Sequence, residues 1–219
     1  MPEGATRPLL FGGSFDPVTL AHVELGVTAM TERGFDALVF VPAARSPHKD
    51  AGPVASDAER VEMLRLATGG VAHATVWTDE IDRAGVGVGP SYWVDTIRRA
   101  RAWGLTRGVD AGAFLIGADQ AAAFDRWRDA RWLFEYAEPL VMLRSPADSP
   151  DALMVALRSS GAWSDDDLAL WRSRLVETPL RDSSATGVRG LLSTGNKGAT
   201  TELVDARVLD YITSKRMYG

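Results

Sequence analysis

The sequence predicts an α/β fold, a doubly wound parallel sheet with helices covering both faces. Three observations predict it. Short apolar runs without polar alternation recur along the chain, as strands buried on both faces require. Between them lie segments whose apolar residues recur at helical spacing. The runs stop at glycine or proline, which end regular structure.

The elements follow in order. Leu9-Leu10-Phe11 is a buried strand stopped by Gly12-Gly13. Thr19 to Arg33 is a helix, with Leu20, Val23, Val27 and Met30 on one stripe. Ala37 to Val41 is a second strand, ended by Pro42. Ser56 to Ala67 is a helix with Ser56 as N-cap and Glu59 three residues on, the spacing of a capping box. Ala74 to Trp77 is a third strand, and Ser91 to Ala102 a helix that follows Pro90. Ala113 to Ile116 is a fourth strand ending at Gly117, and Pro139 to Leu143 a fifth. Ser145 to Ser149 is a polar, proline-bearing loop. Asp151 to Trp171 is a helical insertion before a final strand near Leu175, and Val204 to Arg216 is a closing helix. Strands alternating with helices make βαβ units. Such sheets bind ligands at the carboxyl ends of their strands, where the chain order reverses, so the loop after the first strand matters most.

Composition bounds the function. The 219 residues are 46% hydrophobic and 24% charged, the balance of a globular protein rather than a disordered or fibrous one. We expect one domain over 1–219, with the insertion at about 151–171. No cysteine is present, which excludes disulfides, thiol catalysis, zinc–thiolate sites and iron–sulfur clusters. Three histidines make a histidine-rich metal cage improbable. The net charge of −5 disfavours binding to a nucleic-acid polymer but leaves room for a small basic pocket. No apolar stretch reaches the roughly 18 residues of a membrane span. Met1-Pro2-Glu3-Gly4 is not the start of a signal peptide, so the expected compartment is the cytoplasm. A homo-oligomer is left open.

Several near-matches are set aside. Gly85 to Gly89 resembles a dinucleotide loop but follows a charged segment and runs into Pro90. Gly190 to Lys197 resembles a phosphate loop, but its lysine comes one place late with no Ser or Thr after it. Gly13-Ser14-Phe15-Asp16 lacks the second glycine of a nucleophile elbow.

The strong signal is Phe11-Gly12-Gly13-Ser14-Phe15-Asp16-Pro17-Val18-Thr19-Leu20-Ala21-His22, between the first strand and the first helix. Two glycines let the backbone approach a bulky anionic ligand. The helix N-terminus behind them offers free N–H groups and a positive dipole end to phosphate. Thr19 and His22, three apart, share one face of the first helical turn. Taken singly, the glycines fit a plain turn and His22 fits a cap or a surface residue.

The joint pattern resembles the T/H-x-G-H signature of nucleotidylyltransferases, a Rossmann-like fold. Three more segments match in order: Ser46-Pro47-His48-Lys49; Gly117-Ala118-Asp119 followed by Phe124 and Trp127; and Pro179 to Arg189 around Ser184, Ala185 and Thr186. Weaker echoes are Asp57 to Leu64, Pro90-Ser91-Tyr92 with Asp95-Thr96, and Tyr211-Ile212. The resemblance runs from residue 8 to 218 and is nearest to bacterial nicotinate-mononucleotide adenylyltransferases.

That resemblance implies transfer of AMP from ATP to nicotinate mononucleotide, with Mg²⁺ carried by phosphates and water rather than by side chains. The mononucleotide phosphate is the nucleophile, so no general base is needed and catalysis reduces to positioning and charge neutralisation. By the same resemblance His22, Thr19, Lys49 and Arg189 are the catalytic set. Gly12, Gly13, Ser14, Phe15, His48, Gly117, Asp119, Ser184 and Thr186 join His22 and Arg189 in holding ATP, with Asp119 on the ribose. Asp16, Lys49, Tyr92, Trp93 and Trp127 hold the mononucleotide, Trp127 by stacking on its electron-poor ring. Asp119 also fits a helix N-cap and Trp127 a core aromatic. Thr19, Ala21, Trp93 and Ala185 depart from the family pattern, which usually has His, Gly, Thr and Ser there. The same chemistry on nicotinamide mononucleotide or phosphopantetheine, or a non-catalytic nucleotide-binding paralogue, are the alternatives.

Overall fold

A computed structural model describes residues 1–2, 4–44, 52–86, 91–179, 184–195 and 197–219. Among them six strands form one sheet: β1 (Pro8–Gly13), β2 (Ala37–Pro42), β3 (Ala74–Val76), β4 (Ala113–Gly117), β5 (Glu138–Met142) and β6 (Leu175–Val176). Their spatial order is β3-β2-β1-β4-β5-β6, and every pairing is parallel. The chain order therefore reverses between β1 and β4, which opens a crevice beyond their carboxyl ends.

The helices are α1 (Leu20–Glu32), α2 (Asp57–Thr68), α3 (Asp79–Gly85), α4 (Trp93–Leu105), α5 (Ala118–Ala121), α6 (Ala130–Tyr136), α7 (Pro150–Ser159), α8 (Asp165–Ser173), α9 (Ala185–Ser193), α10 (Lys197–Thr201) and α11 (Ala206–Ser214). Strand side chains alternate between faces, so each apolar run feeds two cores. Leu9, Phe11, Leu38, Phe40, Leu115 and Leu140 face one cluster, which Met30 of α1, Leu64 of α2, Val188 of α9 and Ile212 of α11 complete. Leu10, Val39, Val41, Phe114 and Val141 face the other, closed by Ile97 of α4, Phe134 of α6, Leu157 of α7 and Trp171 of α8. This two-sided burial is why the strands read as continuous apolar runs.

The expected elements recur with small shifts. Ser56 caps α2, and its N–H and hydroxyl donate to Glu59 at 2.8 and 2.7 Å while the Glu59 N–H returns to Ser56 Oγ at 3.3 Å. The expected insertion divides into α7 and α8 at Gly161, whose φ of +69° suits glycine. Trp163 and Trp171 from this segment pack on Phe124 and Phe134, so it belongs to the core of one face. Helix α3 falls in what reads as a charged stretch. It is held electrostatically: buried Asp79 pairs with Arg83 at 2.9 Å and Arg99 at 2.5 Å. The bond from Thr96 Oγ1 to Glu80, at 2.8 Å, ties it to α4.

Candidate active site

A cleft of about 570 Å³ lies over the carboxyl ends of β1 and β4. Gly12 and Gly13 end β1 on its floor, and the turn Ser14-Phe15-Asp16 leads to the start of α1 with Thr19 and His22. Gly117, at the end of β4, and Trp127 form the far wall. Tyr92 and Trp93, the cap and first residue of α4, line it from one side. Ser184, Thr186 and Arg189 close it from α9. Two helix N-termini, of α1 and α9, thus border one cavity. The expected His48 and Lys49 lie outside the described residues, as does the start of the Pro179 to Arg189 segment at 180–183.

The turn into α1 fixes His22. Thr19 is the N-cap and His22 stands at the third helical position, each side chain bonded to the other's backbone N–H. His22 Nδ1 accepts from the Thr19 N–H at 3.0 Å and lies 2.7 Å from Thr19 Oγ1. An accepting Nδ1 leaves the single proton of a neutral imidazole on Nε2. Burial, reinforced by the positive charge of Arg144, pulls the ring from its ordinary value of 6.5 down to about 4. His22 is therefore a neutral donor at pH 7, not a cation. Phe15, packed edge-on at 5.3 Å, supplies much of that enclosure.

The same shift predicts a pH-dependent stability. Unfolded His22 titrates near 6.5, so between pH 6.5 and about 4 the unfolded chain binds a proton that the folded one does not. Stability present above pH 6.5 is then lost as the pH falls to 4, by at most about 3 kcal/mol. Equilibrium denaturation of wild type and His22→Asn at both pH values checks this. The variant should lose less stability on acidification by that amount.

Three of the expected polar groups have partners within the protein. Thr19 is 2% exposed and lines the cleft, and its hydroxyl lies against the imidazole. Asp16, 4% exposed, spreads its carboxylate over the chain: Val54 N–H donates at 2.8 Å, Ala55 N–H at 3.1 Å and the Tyr218 hydroxyl at 2.6 Å. Asp119 is held by Arg144, Nε at 2.7 Å and Nη2 at 2.8 Å, and it is Gln120 and Arg144 that line the cleft beside it. A Cβ at Gly117 would lie 2.5 Å from that carboxylate, which explains the glycine. At Gly12 the expected reason for a glycine was a close ligand. Here the Trp93 ring fills the space, 2.6 Å from where a Cβ would stand. Trp127 packs on Phe124 at 4.9 Å while still lining the cavity, so the core and ligand-wall readings of it are compatible.

Arg189 Nη1 donates to the Asp16 carbonyl at 2.6 Å and stands 3.6 Å from Asp16 Oδ2. Its Nη2 donates to Thr186 Oγ1 at 3.2 Å. Ser184 caps α9, accepting from Gly187 N–H at 3.0 Å. Sequence reasoning missed Arg60, Arg128 and Arg144. Arg60 is fully buried, and its Nη1 holds the Ser14 carbonyl at 2.7 Å. Arg128 lies over the Tyr92 ring at 4.7 Å. Arg144 follows β5, beside β4, where the strand-end rule already directs attention.

Neutral donors, arginines and two helix N-termini around one cleft suit a polyphosphate, and the switch-point fold suits a nucleotide; together they define a nucleotidyltransferase. Residues 10–190 match the cytidylyltransferase-like family model. A probable nicotinate-nucleotide adenylyltransferase of Chromobacterium violaceum is 34% identical over 218 residues, spanning 95% of this chain and 97% of that protein. One from Pseudomonas paraeruginosa is 35% identical over 214 residues, 95% of each chain. The chain belongs to the cytidylyltransferase-like family and, within it, to the nicotinate-nucleotide adenylyltransferases. The structure of the Plasmodium falciparum nicotinic acid mononucleotide adenylyltransferase shares the fold, with a TM-score of 0.68 over 97% of both chains at 13% identity.

Proposed function

We propose that this chain, as one domain over 1–219, transfers the adenylyl group of ATP to nicotinate mononucleotide, yielding deamido-NAD and pyrophosphate. The observation that carries the reading is the convergence of the starts of α1 and α9 on a single cleft at the switch point. The mononucleotide phosphate oxygen attacks the α-phosphorus in line. The new P–O bond forms as the bond to the β-phosphate's bridging oxygen breaks, and that electron pair leaves with pyrophosphate. No proton need be removed from the nucleophile, so the protein's task is placement and charge stabilisation.

In this reading the His22 Nε2–H and Arg189 bind the triphosphate, joined by N–H groups at the starts of α1 and α9 and by Thr186. Gln120 and Arg144 face the nucleoside beside Gly117, with Asp119 acting through Arg144. Tyr92, Trp93 and Trp127 make the wall for the pyridine ring. Lys49, with His48, is assigned to the junction of the two phosphates from the resemblance alone. The donor set suits Mg²⁺ arriving with ATP: the phosphate end offers hydroxyls, N–H groups and cations, and the Asp16 carboxylate is already hydrogen-bonded. When bound, the ion neutralises charge on the triphosphate. Among the described residues no helix is long and apolar enough to cross a membrane. The cytoplasm is the compartment we propose.

One observation favours a second acceptor. The Trp93 ring over Gly12 reshapes the wall expected to read the pyridine substituent, so the second reading is the same chemistry on the amide, nicotinamide mononucleotide. Pyrophosphate release from ATP and Mg²⁺ with nicotinate mononucleotide, nicotinamide mononucleotide or phosphopantetheine tests both. We expect at least tenfold higher kcat/KM with the acid. Preference for another acceptor moves the substrate and keeps the chemistry. ATP binding without release for any of the three would leave a nucleotide-binding module.

A further inference from the structure

The Asp16 carboxylate is reached from the far end of the chain. Helix α11 ends with Arg216 N–H bonded to the Thr213 carbonyl at 3.2 Å and Met217 N–H to the Ile212 carbonyl at 3.1 Å. This is the paired closure that usually puts glycine in the left-handed position. Here Arg216 occupies it at φ +54°, and Tyr218 follows at φ +64°. Two non-glycine residues in the left-handed region within the last four are uncommon, and such strain persists where surrounding contacts over-determine it. The segment is tied down. Met217 and Tyr218 pack on the core of the α1 face, and the Tyr218 hydroxyl donates to Asp16 Oδ1 at 2.6 Å.

Asp16 is where four segments meet: the first turn, the chain at Val54-Ala55, α9 through Arg189, and the C-terminal tail. Its two oxygens are divided. Oδ1 takes Ala55 N–H and Tyr218, whereas Oδ2 takes Val54 N–H and faces Arg189 at 3.6 Å, longer than a hydrogen bond. We propose that Tyr218 is a positioning residue of the site, its hydroxyl taking up part of the Asp16 charge and so leaving the Arg189 guanidinium to a substrate phosphate. This rests on the reading of the cleft as an ATP-using adenylyl-transfer site. Burial and the bond to Asp16 hold the phenol protonated well above the ordinary tyrosine range, so it remains a donor at any working pH. Without that donor, Asp16 draws Arg189 into a tight pair, and the phosphate loses its fork of N–H groups.

The test is a cycle of wild type, Tyr218→Phe, Arg189→Ala and the double variant. Two quantities are read: pyrophosphate release with ATP, Mg²⁺ and nicotinate mononucleotide, and ATP affinity by calorimetry. Tyr218→Phe removes one oxygen and should shift the melting midpoint by no more than about 4 °C. All affinities are measured below the lowest midpoint. We expect the KM and Kd for ATP to rise about tenfold, the size of a lost hydrogen bond to a charged group, with a smaller change in kcat. In the Arg189→Ala background Tyr218→Phe should change neither, because its effect passes through Arg189. A residue that only stabilises the fold would give effects that multiply. Wild-type ATP affinity in Tyr218→Phe, or multiplying effects in the double variant, overturns the proposal. If wild type releases no pyrophosphate with any acceptor but binds ATP, the transferase reading fails and the calorimetric cycle still judges Tyr218. No ATP binding by wild type sinks both.

Discussion

Replacing His22 with alanine should lower kcat at least about 10²-fold, the usual loss when one preorganised donor to a charged transition state is removed. The imidazole does two jobs that can be separated. Nδ1 accepts from the Thr19 N–H and completes the helix cap, while Nε2–H is the donor we assign to the triphosphate. Asparagine places its oxygen where Nδ1 stands and has no group at the Nε2 position. His22→Asn should therefore keep the cap and lose the catalysis. His22→Ala should lose both and be destabilised by about 1 kcal/mol in addition. Steady-state pyrophosphate release and thermal midpoints of the two variants make the comparison. If His22→Asn turns over near the wild-type rate, His22 is a capping residue and not a catalytic one.

Arg189→Ala should reduce kcat/KM for ATP by about 10²–10³-fold, since it removes a planar charged fork from the phosphate end of the cleft. The guanidinium is held ready on two sides, by the Asp16 carbonyl and the Thr186 hydroxyl. Arg189→Lys restores the charge as a single point without the fork, so it should recover only part of the loss. Equal activity of wild type and Arg189→Lys would mean that Arg189 contributes only a diffuse field. An alanine variant with wild-type kcat/KM would remove Arg189 from the site.

Much of the architecture was legible because its causes are local. The apolar runs at Leu9 to Phe11, Ala37 to Val41 and Ala113 to Ile116 must be buried on both faces, and only a parallel sheet between helix layers does that. Ser56 with Glu59 is a capping pair whose geometry follows from spacing alone. The ordered motifs lie on separate loops, and the fold brings the described ones to one cleft. Helix α3 was hidden because its stability comes from ion pairs of Asp79 with Arg99 of α4, twenty positions away, and with its own Arg83, and from a hydrogen bond of Arg83 to Thr96, not from an apolar stripe.

The division of labour within the site was not legible. By itself the sequence determined the fold class and the strand-end position of the cleft, since helical and strand periods and backbone chemistry act over a few residues. Only the tertiary structure decided which groups of the protein each polar residue engages. Thr19, Asp16 and Asp119 all read as ligand contacts, yet each engages a partner: His22, the Val54-Ala55 backbone with Tyr218, and Arg144. Gly12 makes room for Trp93, more than eighty residues on. The physical reason is that a buried polar group must find its hydrogen bonds wherever the chain happens to return. The partners of Asp16 range from Val54 to Tyr218, a distance in sequence that no local pattern encodes.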